Sequence, residues 1–156
     1  MELKVKKINP YAYLPTKGTK NSVGWDLYIP DKHFIASAKL PRYEEKKFHC
    51  WKGEIKIVDF GIAVEIPEGY WGQMVIRSSI GKQGLTMANS VGVIDSDYRG
   101  TLRAMVLNAG PLERILLPGD RIAQLIIHKV EDVDVVEADE LSESDRGTKG
   151  FGSTGK

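Results

Sequence analysis

The chain has 156 residues with 42% hydrophobic and 28% charged residues, a formal net charge of +1 and a single cysteine, Cys50. These values predict one globular domain and exclude an internal disulfide, a cysteine-based zinc site and nucleic-acid binding driven by net charge. Since no run of about 18 apolar residues occurs and the start MELKVKKINP lacks a signal-peptide core, we expect no membrane segment and a cytoplasmic location.

Sixteen glycines divide the chain into short segments rich in Val, Ile, Leu and aromatic residues, which favours strands over helices. In chain order, the predicted strands are Leu3–Ile8, Trp25–Ile29, Ile55–Phe60, Ile62–Ile66, Trp71–Arg77, Leu102–Leu107, Arg121–His128 and Val133–Val136. In Ile55–Phe60 the apolar residues are expected largely on one face, and one short helix is expected at Ser78–Lys82. The predicted fold is an all-β, jelly-roll-like antiparallel barrel over residues 1–141, followed by a flexible glycine-rich tail over 142–156.

Residues 32–52 differ from the rest of the chain because basic and aromatic side chains alternate there. We interpret this stretch as a hairpin whose aromatic side chains pack on the domain while its charges are solvated. The alternative is a contact surface for a protein partner or for nucleic acid, since this composition also suits phosphates and bases.

Three apparent motifs lack features that the corresponding binding sites require. The glycine pattern at 150–155 lacks a following helix and acidic residue, so it is not a dinucleotide-binding turn. The segment from Asp95 to Gly100 resembles half of a calcium loop, but Arg99 and Val106 stand where oxygen ligands belong. The three histidines lack metal-ligand spacing.

Polar clusters at the ends of predicted strands have a common chemical logic, although each alone is more typical of a cap or a salt bridge in a turn. Arg77 is followed by two hydroxyl residues, a combination suited to phosphate oxygens. Gly92–Asp95 is an apolar run that ends in a carboxylate, and Tyr98 follows it. Gly119-Asp120-Arg121 opens the strand that carries Gln124, and glycines flank Ser153 and Thr154 in the tail.

In this order the clusters resemble the five motifs of the homotrimeric dUTP pyrophosphatase (dUTPase) family, and the resemblance spans nearly the whole chain. The matching segments are VGWDLY (23–28), RSS (77–79), GVIDSDYRG (92–100), GDRIAQL (119–125) and RGTKGFGSTG (146–155). The resemblance implies hydrolysis of dUTP to dUMP and pyrophosphate, which limits uracil in DNA and supplies dUMP for dTMP synthesis.

The resemblance also implies roles for individual residues. Asp95 would be the catalytic base that deprotonates the attacking water. Mg²⁺ would bridge the phosphates, with Asp26 acting on it through water. Asp97 would stabilise the turn together with Arg99. Gln124 would position the phosphates or the water.

The remaining predicted contacts belong to the substrate. Uracil would bind backbone atoms and Asn89 in a hairpin over Leu85–Tyr98, and Tyr98 would exclude a 2′-hydroxyl by steric clash. Phe151 would stack on uracil, while Arg146 and its neighbours clasp the γ-phosphate. The predicted substrate-binding residues are Arg77, Ser78, Ser79, Asn89, Gly92, Val93, Ile94, Tyr98, Gln124, Arg146, Phe151, Gly152, Ser153 and Thr154. Each site would draw on three subunits of a homotrimer, without a membrane or nucleic acid as partner.

Two alternatives stay open at this point. A dCTP deaminase-related or bifunctional enzyme would need an acid/base group at the base, and no carboxylate lies between Leu85 and Val91. A regulatory, protein-binding module on the same fold would use residues 32–52 as its contact surface.

Overall fold

The computed structural model describes residues 1–35, 42–44 and 46–150, which contain thirteen β-strands and one helix of a single turn. The strands are β1 Lys4–Lys7, β2 Trp25–Tyr28, β3 His33–Ile35, β4 Arg42–Glu44, β5 Phe48–Cys50, β6 Ile55–Asp59, β7 Ile62–Glu65, β8 Tyr70–Ile76, β9 Leu85–Met87, β10 Gly92–Ile94, β11 Arg103–Asn108, β12 Arg114–Leu116 and β13 Arg121–Lys129. The helix α1 covers Ser78–Gly81. No helix in these ranges is long and apolar enough to cross a membrane.

Two antiparallel sheets enclose the core. One sheet has the strand order β10-β8-β13-β2 and the other has the order β6-β11-β9, while β1-β7, β5-β12 and β3-β4 form two-stranded pairs. Buried side chains from both sheets form one cluster, with Leu27, Met74 and Leu125 on the first and Val58 and Val106 on the second. The predicted all-β antiparallel architecture is therefore confirmed.

The sequence located the longer strands well and the shorter ones poorly. The first seven predicted strands are present with ends that shift by at most one residue, and the predicted helix lies at Ser78–Gly81. The strands that the sequence did not predict have three residues each, and they are β3, β4, β5, β9, β10 and β12. The strand predicted at Val133–Val136 is wrong, since this segment pairs with no strand of the described chain and Val135 is 96% exposed.

The apolar residues of β6 do not share one face, so that expectation is also wrong. Val58 is buried, whereas Ile57 is 61% exposed and Ile55 is exposed on the same outer face. Ile57 lies opposite Met105 of β11, which is also exposed. The outer side of the β6-β11 pair therefore exposes three apolar side chains, Ile55, Ile57 and Met105.

The segment predicted as a hairpin, Leu85–Tyr98, is divided between the two sheets. Its first strand, β9, pairs with β11, and its second strand, β10, pairs with β8. The connection between them turns sharply at Ser90, whose φ is 61°. Because β9 and β10 are the edge strands of their sheets, each has one side without a partner strand in the described chain.

Of the stretch 32–52, where residues 36–41 and 45 lie outside the described residues, β3 and β4 pair antiparallel as expected for the predicted hairpin, and β5 pairs with β12. Phe48 and Cys50 are buried, and burial raises the pKa of the Cys50 thiol. Trp51 is exposed, so the expectation that the aromatic side chains pack on the domain holds for Phe48 but not for Trp51.

Candidate active site

The carboxylate of Asp26 is only 1% exposed and is bound by three other side chains. Arg77 Nε lies 2.9 Å from its Oδ1, and Arg121 Nη1 lies 3.2 Å from its Oδ2. Gln124 Nε2 also donates to Oδ1 at 3.0 Å. Two guanidinium groups thus compensate one buried charge, and we call these four residues the Asp26 cluster.

The fold brings the Asp26 cluster together from three distant parts of the sequence. Asp26 and Gln124 are directly opposite each other in the pairing of β2 with β13. Arg77 follows β8, which lies on the other side of β13, and its backbone N–H donates to the carbonyl of Ile122. Sequence reasoning did not select Arg121 as a site residue, although its position beside Gly119-Asp120 was a usable signal.

Gly24 makes room for Gln124. A Cβ at Gly24 would lie 3.0 Å from the Cβ and 3.2 Å from the Cδ of Gln124, which is closer than ordinary contact. The glycine of the VGWDLY segment therefore allows the amide of Gln124 to reach Asp26.

Asp95 has the opposite environment. It follows β10, is exposed, and its carboxylate forms no hydrogen bond or ion pair with any described residue. It lines a cavity of about 140 Å³ together with Tyr98, Thr101 and Arg103. A carboxylate that is accessible and not engaged by the protein is available to accept a proton.

The turn after Asp95 is held by backbone carbonyls. Arg99 Nη1 donates to the carbonyls of Ser96 at 2.6 Å and Tyr98 at 3.1 Å. Arg99 therefore stabilises this turn as expected, but the bonds described for it run to carbonyl oxygens and not to the carboxylate of Asp97.

The predicted phosphate ligands lie elsewhere on the same chain. Arg77 and Ser78 line a cavity of about 450 Å³, along with β9 residues and Ser90. Ser79 and Asn89 are exposed beside it, in α1 and in the connection after β9. Arg77 uses Nε for Asp26 and Nη1 for the carbonyl of Arg121 at 3.3 Å, which fixes the plane of its guanidinium.

Within one chain, Asp95 and Tyr98 lie far from Arg77 and Ser78. Ile94 of β10 pairs with Gly72 of β8, so Asp95 lies level with Trp71, whereas Arg77 follows the opposite end of β8. Six residues of extended strand separate these levels, which corresponds to roughly 20 Å. Gly92 and Ile94 are buried in β10, and Val93 between them is exposed.

The tail forms a third, separate piece. Residues 131–150 are all exposed, and the Nε of Arg146 donates to the carbonyl of Lys149 at 2.9 Å. The hydrogen bonds described for residues 142–150 all run within this segment. The predicted contacts at Phe151, Gly152, Ser153 and Thr154 lie outside the described residues.

The described residues do not form a metal cage of protein ligands. No group of three or more His, Cys, Asp or Glu side chains that could hold a metal ion occurs among them. Both oxygens of Asp26 already accept hydrogen bonds from cationic or amide groups. The described His, Cys, Asp and Glu side chains therefore offer a metal ion at most two ligands at any one place.

The described chain thus presents a guanidinium group fixed by a buried carboxylate and, separately, an unengaged carboxylate in one cavity with a tyrosine. The sequence profile of the dUTPase family matches residues 10–155. The chain therefore belongs to the dUTPase family, and the family predicted from the five motifs is confirmed.

Full-length relatives support the same assignment. The deoxyuridine 5′-triphosphate nucleotidohydrolase of Hydrogenobaculum sp. (strain Y04AAS1) is 41% identical over 156 residues, with 99% of each chain covered. That of Nautilia profundicola is 37% identical over 157 residues, with both chains fully covered. A probable enzyme of the same name from Schizosaccharomyces pombe is 36% identical, with 99% of each chain covered.

Solved structures confirm the fold. The dUTPase of Staphylococcus bacteriophage 80alpha with dUpNHpp has a TM-score of 0.79 at 24% identity, with 99% of each chain covered. A mutant dUTPase from phage phi11 of S. aureus, a structure that concerns the coordination of a structural Mg(II) ion, has a TM-score of 0.72 at 20% identity. It covers 90% of this chain and 98% of its own.

Proposed function

We propose that the protein hydrolyses dUTP to dUMP and pyrophosphate with Asp95 as the general base. The observation that carries this proposal is the unengaged carboxylate of Asp95 in one cavity with Tyr98, in a chain whose full-length relatives are dUTP nucleotidohydrolases. In the reaction, Asp95 accepts a proton from water as the water oxygen bonds to the α-phosphorus. The bond from that phosphorus to the bridging oxygen breaks, and pyrophosphate leaves.

Uracil binds between β9 and β10. These strands are joined by a short connection that carries Asn89, and each has one side without a partner strand in the described chain. Such edges present unpaired backbone N–H and C=O groups. A pyrimidine has alternating donors and acceptors on its pairing edge, so it suits two backbone edges that are not bonded to each other.

Tyr98 selects the sugar. Its ring lines the cavity of Asp95, and its Oη donates to the carbonyl of Thr101 at 3.1 Å. A ring held in this way lies against the deoxyribose and leaves no space for a 2′-hydroxyl, which is discrimination by clash.

The phosphates bind to Arg77, Ser78 and Ser79, and the tail covers them through Arg146 and the residues after it. Asp26 orients Arg77 for this contact through the ion pair of 2.9 Å between them. When Mg²⁺ accompanies the triphosphate it neutralises phosphate charge, and Asp26 is the carboxylate of the cluster that would reach it through water. Gln124 positions the phosphates from the same cluster.

The working enzyme is a homotrimer. Among the described residues of one chain, no hydrogen bond links the base site, the phosphate site and residues 142–150 of the tail, and the first two are roughly 20 Å apart along β8. A cyclic arrangement of three copies can bring one piece from each copy to every site. The exposed apolar outer face of Ile55, Ile57 and Met105 and the exposed valines near Val135 are surfaces that such an assembly would cover.

Incubation with each deoxynucleoside triphosphate and Mg²⁺, with pyrophosphate and ammonia measured separately, tests the proposal. We expect pyrophosphate from dUTP alone and no ammonia from dCTP. Ammonia release would favour the deaminase alternative, and absence of pyrophosphate from dUTP would overturn the proposal.

A further inference from the structure

The carboxylate of Asp59, at the end of β6, is hydrogen-bonded to the segment that follows the turn after Asp95. Its Oδ1 accepts the backbone N–H of Gly61 at 2.8 Å. Its Oδ2 accepts the hydroxyl of Thr101 and the Nε of Arg103, both at 2.8 Å. We call these four residues the Asp59 cluster.

The Asp59 cluster is held rigidly on its inner side. Gly61 has a φ of 68°, and a Cβ there would lie 2.6 Å from the Cβ of Asn9. This conformation favours glycine and aims the Gly61 N–H at Asp59. Backbone bonds from Phe60 to the carbonyl of Leu102 at 3.0 Å, and from Leu102 to the carbonyl of Ile62 at 2.8 Å, flank the carboxylate.

On its outer side, the Asp59 cluster is connected to Tyr98 through Thr101. The carbonyl of Thr101, whose hydroxyl is bound by Asp59, accepts the hydrogen bond from Tyr98 Oη. Gly100 lies under the ring, since a Cβ there would be 2.3 Å from Tyr98 Oη. The position of Tyr98 thus depends on Thr101, and the position of Thr101 depends on Asp59.

Asp59 itself does not line the cavity of Asp95 and Tyr98, whereas Thr101 and Arg103 do. It therefore acts through its neighbours. A carboxylate that accepts charge-assisted bonds holds its partners more strongly than a neutral group does.

We infer that Asp59 is a positioning residue that, through Thr101, holds Tyr98 in place and so sets the preference for deoxyribose over ribose. This inference rests on the proposed function, because sugar preference is read out on nucleotide hydrolysis. It assigns Asp59 no part in proton transfer or phosphate binding.

The experiment compares kcat/KM for dUTP with kcat/KM for UTP. Loss of one hydrogen bond in the chain from Asp59 to Tyr98 is expected to lower the dUTP-to-UTP ratio about tenfold in Asp59→Ala and Thr101→Val. Thr101→Ser keeps the hydroxyl and should retain the wild-type ratio. Glu131→Gln removes a carboxylate from the exposed pair with Lys129 and serves as the matched control.

Amide hydrogen exchange over residues 96–102 of the ligand-free protein gives a second readout. We expect faster exchange in Asp59→Ala and Thr101→Val, and wild-type rates in Thr101→Ser and Glu131→Gln. An unchanged dUTP-to-UTP ratio in folded Asp59→Ala and Thr101→Val would overturn the inference. If the wild-type protein does not cleave dUTP, the proposed function fails, and exchange alone then decides: faster rates support the positioning role and unchanged rates overturn it.

Discussion

Asp26 and Asp95 are the same side chain in two opposite environments. Asp26 is buried and bound by two arginines and a glutamine, whereas Asp95 is exposed and its carboxylate has no partner among the described residues. A carboxylate engaged in this way organises its neighbours, and one that is free is available to react. The difference teaches that environment, and not residue type, divides positioning from chemistry in this chain.

The first prediction concerns the free carboxylate. Asp95→Asn should lower kcat for dUTP by about 10²–10⁴-fold, because a positioned base contributes an effect of that size. Calorimetry with a non-hydrolysable dUTP analogue should give an unchanged Kd. Near-normal turnover would show that Asp95 is not the general base. Asp95 and Asp26 would then not differ in function as proposed.

The second prediction makes the same substitution at the bound carboxylate. Asp26→Asn should lower the free energy of unfolding by about 3 kcal/mol, since the guanidinium groups of Arg77 and Arg121 lose their counter-charge. Urea denaturation at a fixed protein concentration measures this loss. Asp95→Asn is the matched control and should change stability by less than about 0.5 kcal/mol. Equal stability of the two variants would contradict the comparison.

The third prediction concerns the tail, which we expect to act on substrate and not on the fold. Deletion of the residues after Asp145 should leave the Tm of the ligand-free protein unchanged, because the hydrogen bonds described for residues 142–150 run within that segment. The deletion should lower kcat/KM for dUTP by about 10²-fold through loss of closure over the phosphates. A lowered Tm with unchanged kcat/KM would show that the tail has a structural role instead.

The fourth and smallest effect concerns the buried imidazole of His33. Its Nε2 has no hydrogen-bond partner in the part of the chain that the structure describes. The pKa of His33 is lowered by burial and by Lys46, against an opposing effect of Asp59. Below the ordinary histidine pKa of about 6.5, the unfolded chain therefore takes up a proton that the folded chain binds more weakly. The free energy of unfolding should therefore decrease as the pH falls below about 6.5.

His33→Phe removes this titration and keeps an aromatic ring beside Phe48, which His33 contacts edge to face. Denaturation between pH 7 and pH 5 should show a shallower loss of stability in the variant than in the wild type. Parallel curves for the two proteins would mean that His33 accepts its proton freely in the fold.

Local sequence signals predicted the strands that have enough residues to show a pattern, as in β8 and β13. They failed where three residues complete a strand, as in β5 and β12, because such a strand is defined by its partner and not by its own composition. Val133–Val136 failed for the reverse reason, since β-branched residues alone do not provide a sheet neighbour.

The site shows the same division. The motifs located Asp95 and Tyr98, which are close in sequence and line one cavity. They did not show that Asp26, Arg77 and Arg121 meet, because pairings of β2, β8 and β13 bring them together over a separation of 95 residues between Asp26 and Arg121. Nor did they select Asp59, whose partners Thr101 and Arg103 lie 42 and 44 residues away.

The division of the Leu85–Tyr98 segment between two sheets has a mechanical consequence. A base bound between β9 and β10 would hydrogen-bond to both sheets at once and would serve as a removable cross-link between them. The nucleotide is then a temporary part of the scaffold, and the protein should become stiffer each time it takes up substrate and loosen each time product departs.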